Sequence, residues 1–531
     1  MDGHRRIGYC AQAIFSVCFL MAGVRAADHV KIQSGELEGA SEPGSDVRAF
    51  KGIPFAAPPV GPLRWKAPRP APSWTGIREA DEFGSRCMQG DPFGDMIFRG
   101  KGMSEDCLYL NVWTPAASAG ARLPVMFWIY GGGFAAGDTS EPRQDGGNLA
   151  KKGVVVVSCN YRLGVFGFLS HPDLTKESDR NASGNYGLLD QAAALEWVAK
   201  NIGAFGGDPH KVTIFGESAG SFSVSALMAS PLARGLFERA IGESGAFIAS
   251  TALPAKPRAE TEATGRKFAE SLGAQSIEAL RAKPADEIHQ AALKLGAFSF
   301  EPNLDGYFLP DDVAAIYTKG KQSHVPLLAG WNADEGSFEI AFAKEKPTAA
   351  AFAKQAQTQF GARAEAFLKL YPAATDEEAR RSAQDLSGDR FIAFSTWKWI
   401  ELHRATGKSP VFRYEFDQAP PAPADAKPES PAAQLGAYHS AEIEFVFEAL
   451  DSKKLPWRAE DRKVSDLMSA YWVNFAKTGN PNGPGLPQWP AYDSNGWQVM
   501  YISANPQAAP DAHRDRYIFL DKGTADKPSG Q

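Results

Sequence analysis

The fold is decided by the stretch Val212-Thr213-Ile214-Phe215-Gly216-Glu217-Ser218-Ala219-Gly220. An apolar run, Val212 to Phe215, leads directly into Gly216-Glu217-Ser218-Ala219-Gly220, and an Ala- and Ser-rich segment compatible with a helix follows up to Pro231. At a sharp turn between strand and helix the serine backbone is strained, and glycines two residues before and after it remove side chains that would collide. The pattern therefore predicts a nucleophile elbow, with Ser218 projecting into a cleft at a helix N-terminus.

Apolar runs alternate with helical patterns along much of the chain. The runs are short, rich in β-branched or aromatic residues and bounded by turn residues, at 125–130, 154–157, 212–215, 240–243, 325–328 and 411–416. Helical patterns such as Tyr186 to Ile202 lie between several of them, and this alternation favours a mainly parallel sheet with helices on both faces. The predicted class is α/β, with a large, mainly parallel central sheet flanked by helices and with helical insertions at roughly 255–295 and 346–407.

The composition is that of a folded protein. The chain has 531 residues, of which 44% are apolar and 22% charged, so it can bury a large core and extensive disorder is excluded. Length alone suggests about three domains. The sequence contains no internal repeat and no long linker after the elbow, however, so we expect residues 27–531 to form a single domain. A formal net charge of -6 gives no attraction to nucleic acid, which we do not expect as a partner.

The N-terminus has the order of features that export requires. His4, Arg5 and Arg6 precede an apolar stretch from Ala11 to Val24, and Val24-Arg25-Ala26 resembles a cleavage site. We predict a signal peptide over residues 1–26 rather than a membrane span, and a secreted or periplasmic protein with no integral membrane segment after its removal. The alternative is a buried N-terminal helix. Export also favours a disulfide between Cys87 and Cys107, which flank a Gly- and Phe-containing loop.

A serine nucleophile needs a base to accept its proton and an acid to orient that base. On this type of sheet the expected chain order is serine, acid, histidine. The run 325–328 leads into a loop that contains Asp334 and Glu335, and either acid could serve by spacing alone; alternatively, both cap a helix beginning near Ser337.

The histidines that follow this loop are His403, His439 and His513. His403 lies near the end of a helical stretch, where a histidine commonly caps carbonyls, and His513 lies in a charged C-terminal segment. His439 lies in a loop before the apolar run Ile443 to Phe447, so we predict that it is the base.

The tetrahedral intermediate of acyl transfer also needs fixed N–H donors. The segment Gly131-Gly132-Gly133-Phe134 follows the apolar run 125–130 and offers backbone amides without side-chain obstruction, and Ala219 supplies another. A dinucleotide-binding loop is the competing interpretation. We reject it because the next run ends in Ser158-Cys159-Asn160, without the acid that would bind the ribose.

At this point the sequence resembles the type-B carboxylesterase and cholinesterase family, a group of α/β-hydrolases. The resemblance extends over most of the mature chain in separated motifs. These are Phe50-Lys51-Gly52-Ile53-Pro54-Phe55-Ala56, Ser104-Glu105-Asp106-Cys107-Leu108-Tyr109-Leu110-Asn111, the triple glycine, Asn160-Tyr161-Arg162-Leu163-Gly164, the elbow, and Thr478-Gly479-Asn480-Pro481-Asn482.

The resemblance implies a set of roles. The triad is Ser218, Glu335 and His439, and the oxyanion hole is formed by Gly132, Gly133 and Ala219. Glu217 and Ser244 are similar to positions that support family active sites, although a purely structural role for each stays open. The resemblance also supports the Cys87–Cys107 bridge, and it implies structural ion pairs between Arg162 and Asp190 and between Arg64 and Glu105. No metal or cofactor is expected.

The loop between Cys87 and Cys107 departs from that of cholinesterases because it is shorter and contains no tryptophan. A quaternary ammonium group is best held over an aromatic face, above all that of tryptophan. We therefore expect general carboxylic esters rather than choline esters as substrates, with an apolar pocket for one side of the ester and with Phe93 and Phe98 as candidate apolar surface. A lipase, and a binding or adhesion protein that lacks catalysis, are the alternatives. The natural ester and the oligomeric state are not indicated.

Overall fold

The computed structural model describes residues 29–42, 44–337, 346–427, 430 and 434–525. The predicted signal peptide, residues 1–26, lies outside the described residues. Because neither terminus is described, the predicted boundaries of the single domain stay a prediction.

The described residues form strands and helices in alternation. The strands are β1 (His29–Ile32), β2 (Gly35–Glu38), β3 (Ala40–Ser41), β4 (Arg48–Pro54), β5 (Ile77–Glu79), β6 (Arg86–Cys87), β7 (Met103–Ser104), β8 (Tyr109–Thr114), β9 (Leu123–Ile129), β10 (Val155–Cys159), β11 (Gly207–Glu217), β12 (Arg239–Glu243), β13 (Lys256–Pro257), β14 (Asn303–Leu304), β15 (Leu327–Asn332), β16 (Val411–Phe416), β17 (Gln498–Ile502) and β18 (Gln507–Pro510). The α-helices are α1 (Gly147–Lys151), α2 (Gly164–Phe168), α3 (Pro172–Glu177), α4 (Tyr186–Asn201), α5 (Ala219–Ala229), α6 (Arg258–Ser271), α7 (Ile277–Arg281), α8 (Ala285–Leu295), α9 (Val313–Thr318), α10 (Ala349–Phe360), α11 (Ala364–Leu370), α12 (Asp376–Gly388), α13 (Phe394–Thr406), α14 (Ile443–Val446), α15 (Ala459–Thr478) and α16 (Arg514–Ala525).

An 11-stranded sheet organises the molecule, in the order β18-β17-β16-β15-β12-β11-β9-β10-β8-β4-β3. All neighbours from β17 through β10 pair in parallel, and the pairs at the two edges are antiparallel. Central strands such as β10 are buried along their whole length, which explains why they appear as continuous apolar runs instead of alternating patterns. The predicted α/β class with a large, mainly parallel sheet is confirmed.

One strand is longer than its apolar run predicts. The run 325–328 predicts a strand that ends before Gly330, but β15 continues to Asn332 because its backbone keeps pairing with β16 up to the pair Asn332–Phe416. Pairing with a neighbour, which a local pattern does not reveal, therefore extends this strand and fixes the direction in which the following loop leaves the sheet.

Helices cover both faces of the sheet. In a strand, successive side chains point to opposite faces of the sheet. In β12, a Cβ at Gly242 would meet the ring of Trp399 from α13. The next residue, Glu243, instead accepts a hydrogen bond of 2.7 Å from Trp472 of α15. Hence α13 and α15 lie on opposite faces. Helices α4, α5 and α9 join the α13 side through mutual contacts.

The two predicted helical insertions are helical. Residues 258–295 contain α6, α7 and α8, and residues 349–406 contain α10 to α13. The second insertion builds a small apolar cluster of its own around Phe352, Phe367 and Tyr371, to which Phe519 of α16 contributes. This cluster is separate from the main core around the sheet.

Two further features of the chain bear on the predictions. Cys87 and Cys107 are joined by a disulfide. None of the helices in the described ranges has the length and apolar character needed to cross a membrane.

The turn from β11 into α5 has the geometry of an elbow. Ser218 has φ 53° and ψ -124°, a conformation that non-glycine residues rarely adopt. The flanking glycines are required because a Cβ at Gly220 would overlap the carbonyl oxygen of Ile129, and one at Gly216 would lie 2.6 Å from that oxygen. The elbow is thus packed directly against the end of β9.

We predict that Gly220→Ala destabilises the fold by about 1–3 kcal/mol or more, the usual cost of forcing a methyl group into a filled space. The measurement is the shift in the urea unfolding midpoint. Gly203→Ala is the matched control, because a Cβ there would enter open space and no positive φ is involved. Equal midpoints for the two variants would contradict the close contact at the elbow.

Candidate active site

The sheet brings together side chains from three distant parts of the sequence. Ser218 follows β11, Glu335 follows β15 by a short loop, and His439 lies in the segment between β16 and α14. Because parallel strands end at the same edge of a sheet, the loops after β11, β15 and β16 meet there. This is the edge at which ligands bind in open α/β sheets.

These side chains form one hydrogen-bonded row. His439 Nε2 lies 2.9 Å from Ser218 Oγ, and His439 Nδ1 lies 2.6 Å from Glu335 Oε2. The row is largely shielded from solvent, since the side chain of Glu335 is 2% exposed and that of His439 25%. The imidazole therefore has one nitrogen directed at the hydroxyl and the other at the carboxylate.

The second oxygen of Glu335 is fixed by two donors. Ser244 Oγ donates to Glu335 Oε1 over 2.5 Å, and the backbone N–H of Asn332 donates to the same oxygen over 2.8 Å. Ser244 follows directly after β12. The same strand also holds the elbow, since the N–H of Ser218 donates to the carbonyl of Glu243 over 2.8 Å. Glu335 is thus oriented by the ends of the same strands that position the serine.

Asp334, the other acid allowed by spacing, has a different environment. One of its oxygens accepts the N–H of Ala437 over 3.0 Å, and the other accepts a hydrogen bond from Arg381 over 2.8 Å. The N–H of Asp334 also donates to the carbonyl of Ala437 over 3.0 Å. Asp334 therefore ties the loop after β15 to the loop that carries His439, and Glu335 is the acid that contacts the imidazole.

His439 carries a strongly perturbed proton affinity. Burial by itself lowers the pKa of His439, but the negative charges of Glu335 and Glu217, together with the hydrogen bond that the imidazole donates to Glu335, outweigh burial and raise the pKa to about 9. Glu217 Oε1 lies 3.3 Å from Nε2 of the imidazole. The same burial raises the pKa of Glu217 to about 7, against the opposing charge of His439.

Backbone N–H groups converge beside the serine. Gly132 and Gly133 adopt φ 98° and 62° and line the same cavity as Ser218 and His439. In the part of the chain that the structure describes, the N–H groups of Gly132, Gly133 and Ala219 donate no hydrogen bond. These donors are free for an oxygen atom bound in the cavity.

The cavity has a volume of about 350 Å³, and part of its wall is polar and part apolar. Of the two aromatic side chains proposed from the cysteine loop, Phe93 lines it, whereas Phe98 instead packs under the guanidinium of Arg86. Phe391 also lines it and meets the His439 ring edge to face, with the ring centroids 5.0 Å apart. The other apolar walls are Met96, Ala252, Leu253 and Phe298.

The remaining histidines considered above lie elsewhere. His403 Nε2 contacts the carbonyl of Val325 at 2.9 Å, and burial lowers the pKa of His403 to about 4. Burial likewise lowers the pKa of His513 to about 4. The two predicted ion pairs are present, Arg162 with Asp190 and Arg64 with Glu105.

Sequence reasoning missed two residues that matter here. Asn332 donates its side-chain N–H to the carbonyl of Tyr438 over 2.7 Å and to Glu442, and so helps to join the two loops. Arg143 lines the cavity. The available signal for Arg143 was its position as a basic residue shortly after the triple glycine.

Among the described residues, no group of three or more His, Cys, Asp or Glu side chains is arranged to hold a metal ion.

Comparisons with known proteins agree on one family. A family model described as the carboxylesterase family matches residues 26–519. The fumonisin B1 esterase of Sphingopyxis macrogoltabida is 39% identical over 491 residues, covering 87% of this chain and 84% of that protein. The para-nitrobenzyl esterase of Bacillus subtilis (strain 168) is 36% identical over 515 residues, covering 93% and 99%. A solved PNB esterase structure superposes with a TM-score of 0.78 at 33% identity, covering 95% of this chain and 100% of that one.

We predict that Glu335→Gln lowers the pKa of His439, because it removes the nearest negative charge, whereas the neighbouring control Asp334→Asn leaves it nearly unchanged. The measurement is a pH titration of the His439 ring signals by NMR. Stability depends on pH in the same direction: the pKa of His439 in the folded protein lies above its ordinary value of 6.5, so His439 stabilises the fold most below pH 6.5. That contribution is lost as the pH rises through about 9. A larger shift in Asp334→Asn than in Glu335→Gln would contradict the assignment of the contact.

Proposed function

The chain belongs to the carboxylesterase family and is a carboxylic ester hydrolase, and we propose that it acts as a serine esterase with Ser218, His439 and Glu335 as its catalytic triad. The hydrogen-bonded row of these three side chains is the observation that carries the proposal. Small esters are the substrates of the family, and the cavity beside Ser218 has room for one.

In the first half of the reaction, Ser218 Oγ attacks the ester carbonyl carbon while His439 Nε2 takes the hydroxyl proton. Glu335 holds the imidazole by Nδ1 and stabilises the imidazolium that forms. The N–H groups of Gly132, Gly133 and Ala219 receive the oxyanion of the tetrahedral intermediate. When the intermediate collapses, the C–O bond to the alcohol breaks, His439 returns the proton to the leaving alcohol, and an acyl-enzyme remains.

In the second half, a water molecule gives its proton to His439 and attacks the acyl carbonyl. The same N–H groups stabilise the second oxyanion. Collapse releases the carboxylic acid and returns the proton to Ser218 Oγ, so the enzyme is restored without any change of oxidation state. Ser244 and Asn332 take no part in bond making; they hold Glu335 in position.

We further propose that residues 1–26 direct export and that the mature protein, residues 27–531, is one domain that is secreted or periplasmic. The order of charged and apolar residues at the N-terminus supports export. The Cys87–Cys107 disulfide is consistent with an oxidising compartment.

We expect Ser218→Ala to lower the turnover of a p-nitrophenyl ester by a factor on the order of 10⁶, as loss of the nucleophile does in other serine hydrolases. Intact-mass analysis after treatment with an organophosphate should show a single adduct on the unaltered protein and none on Ser218→Ala. The control Ser440→Ala, which removes another hydroxyl that lines the cavity, should still be labelled. A folded protein that neither turns over esters nor takes the label would favour the binding-only alternative.

We expect Glu217→Gln to shift the acid limb of the kcat/KM profile to lower pH. His439 must be unprotonated to accept the serine proton, and the charge of Glu217 is one of the causes that raise the pKa of His439. Glu301→Gln is the control, because this carboxylate lines the cavity but pairs with Lys256 at 3.0 Å. An unchanged or upward shift in Glu217→Gln would show that Glu217 does not act on the imidazole through its charge.

A further inference from the structure

Arg143 is held firmly beside the candidate active site. It lies in a single 3-10 turn, Pro142–Gln144, on the segment that begins with the glycine loop. The side chain of the adjacent Gln144 accepts a hydrogen bond from Trp128 of β9 and donates one to the carbonyl of Asp138 over 3.1 Å. The turn is therefore anchored to the central sheet, and Arg143 is carried with it.

The guanidinium of Arg143 is buried but incompletely bonded. Its side chain is 10% exposed, and its Nε donates to Glu141 over 2.6 Å. Within the described ranges, the terminal nitrogen Nη1 is buried without a hydrogen-bond acceptor. A carboxylate oxygen of Asp95 lies 3.8 Å from it. Arginine has five N–H donors, and a buried donor without an acceptor costs free energy. Arg143 thus retains hydrogen-bonding capacity that the described residues do not use.

This capacity lies at the wall of the cavity that contains Ser218. Arg143 and His439 are the basic side chains among the described residues that line this cavity. The polar part of the lining also includes the carboxylates of Asp95, Glu217 and Glu301 and the hydroxyls of Ser218 and Ser440. Of these carboxylates, Glu301 is paired with Lys256 at 3.0 Å. The apolar part consists of Phe93, Met96, Ala252, Leu253, Phe298 and Phe391.

We propose that Arg143 determines specificity by binding a carboxylate of the substrate, so that the preferred esters carry a free carboxylate on one side of the scissile bond and an apolar group on the other. The inference rests on the proposed esterase function and names its substrate class. A planar guanidinium matches a carboxylate geometrically, and a charge-assisted hydrogen bond is roughly twice as strong as one to a neutral acceptor.

Asp95 shows where such a carboxylate would bind. Its oxygen approaches Arg143 from the cysteine loop, and its side chain is 56% exposed, so it can turn into solvent and give way to a substrate group. Asp95 is in this respect a competitor for Arg143. Removing its charge should therefore favour a bound carboxylate.

The other carboxylates around Arg143 oppose a bound anion only in part. Glu141 and Glu217 are both buried, and burial raises the pKa of each to about 7. A fraction of each is therefore neutral at neutral pH. The guanidinium stays charged because its pKa is far above that range: burial lowers the pKa of Arg143, but the combined negative charges of Glu141, Glu444, Asp95 and Glu217 outweigh burial.

Matched ester pairs test the proposal on both sides of the scissile bond. The first pair is the monobutyl ester of adipic acid and its neutral carboxamide analogue, with the polar group on the acyl side. The second pair is the hexanoyl ester of gamma-hydroxybutyric acid and its carboxamide, with the polar group on the alcohol side. The quantity measured is the ratio of kcat/KM for the carboxylate to that for the carboxamide, which cancels any general damage from a substitution.

In at least one pair, Arg143→Met should lower this ratio roughly 10-fold to 100-fold, which is the change in rate that corresponds to losing a hydrogen bond to a charged group. Asp95→Asn should raise it about 2-fold to 5-fold, as expected for a partly exposed charge. Arg69→Met, which removes an exposed arginine that does not line this cavity, is the control for long-range attraction and should leave the ratio unchanged.

Ratios that Arg143→Met leaves unchanged in both pairs would overturn the proposal. An equal fall in Arg69→Met would also overturn it, by assigning the effect to overall charge. These outcomes are distinct from failure of the proposed function. In that case the unaltered protein would hydrolyse no member of either pair in a manner that depends on Ser218.

Discussion

The left-handed backbone at Ser218 is the constraint on which the site depends. It exists because β11 turns into α5 with no room for side chains on either side, and Gly216 and Gly220 meet the end of β9 at Ile129. The parallel pairing of β9 with β11 then brings the next segment of the chain to the serine, since a Cβ at Gly131 would lie 2.9 Å from Ser218 Cβ. The free N–H groups of the glycine loop are therefore near the hydroxyl as a consequence of strand pairing.

Burial and neighbouring charge have opposite effects on the pKa of His439, and the effect of charge is the larger. Removing His439 from water disfavours its protonated form, but two carboxylates lie close to its two nitrogens, at 2.6 and 3.3 Å. Only one of them, Glu335, is held by neutral donors on its far oxygen. Glu217 lacks comparable support: its Oε1 is buried, and no described residue forms a hydrogen bond with it. The structure thus separates a fixed acid from a second one whose charge can vary near neutral pH.

The sequence predicts the parts of this arrangement that depend on local chemistry. The elbow, the central strands and the sheet class follow from apolar runs and glycine spacing, and the structure agrees with them. Spacing alone left Asp334 and Glu335 equivalent. They differ because β15 keeps its register with β16 through Asn332. Beyond that point, the Asp334 side chain faces the backbone of the loop that carries His439, and the Glu335 side chain faces the imidazole. Such a difference arises from pairing between distant strands, which no local pattern contains.

The residues that line the cavity differ in how firmly the central sheet supports them. Most of the cavity wall comes from segments outside the sheet, such as Phe93 on the disulfide loop and Phe391 in the π-helical turn before α13. Apolar side chains on such segments select mainly by size, and a change of one methylene in a pocket has a modest effect. Arg143 differs, because its turn is anchored to β9 through Gln144 and Trp128. A charge held by the sheet acts at a fixed distance from the serine, so discrimination by charge can persist while the surrounding loops vary.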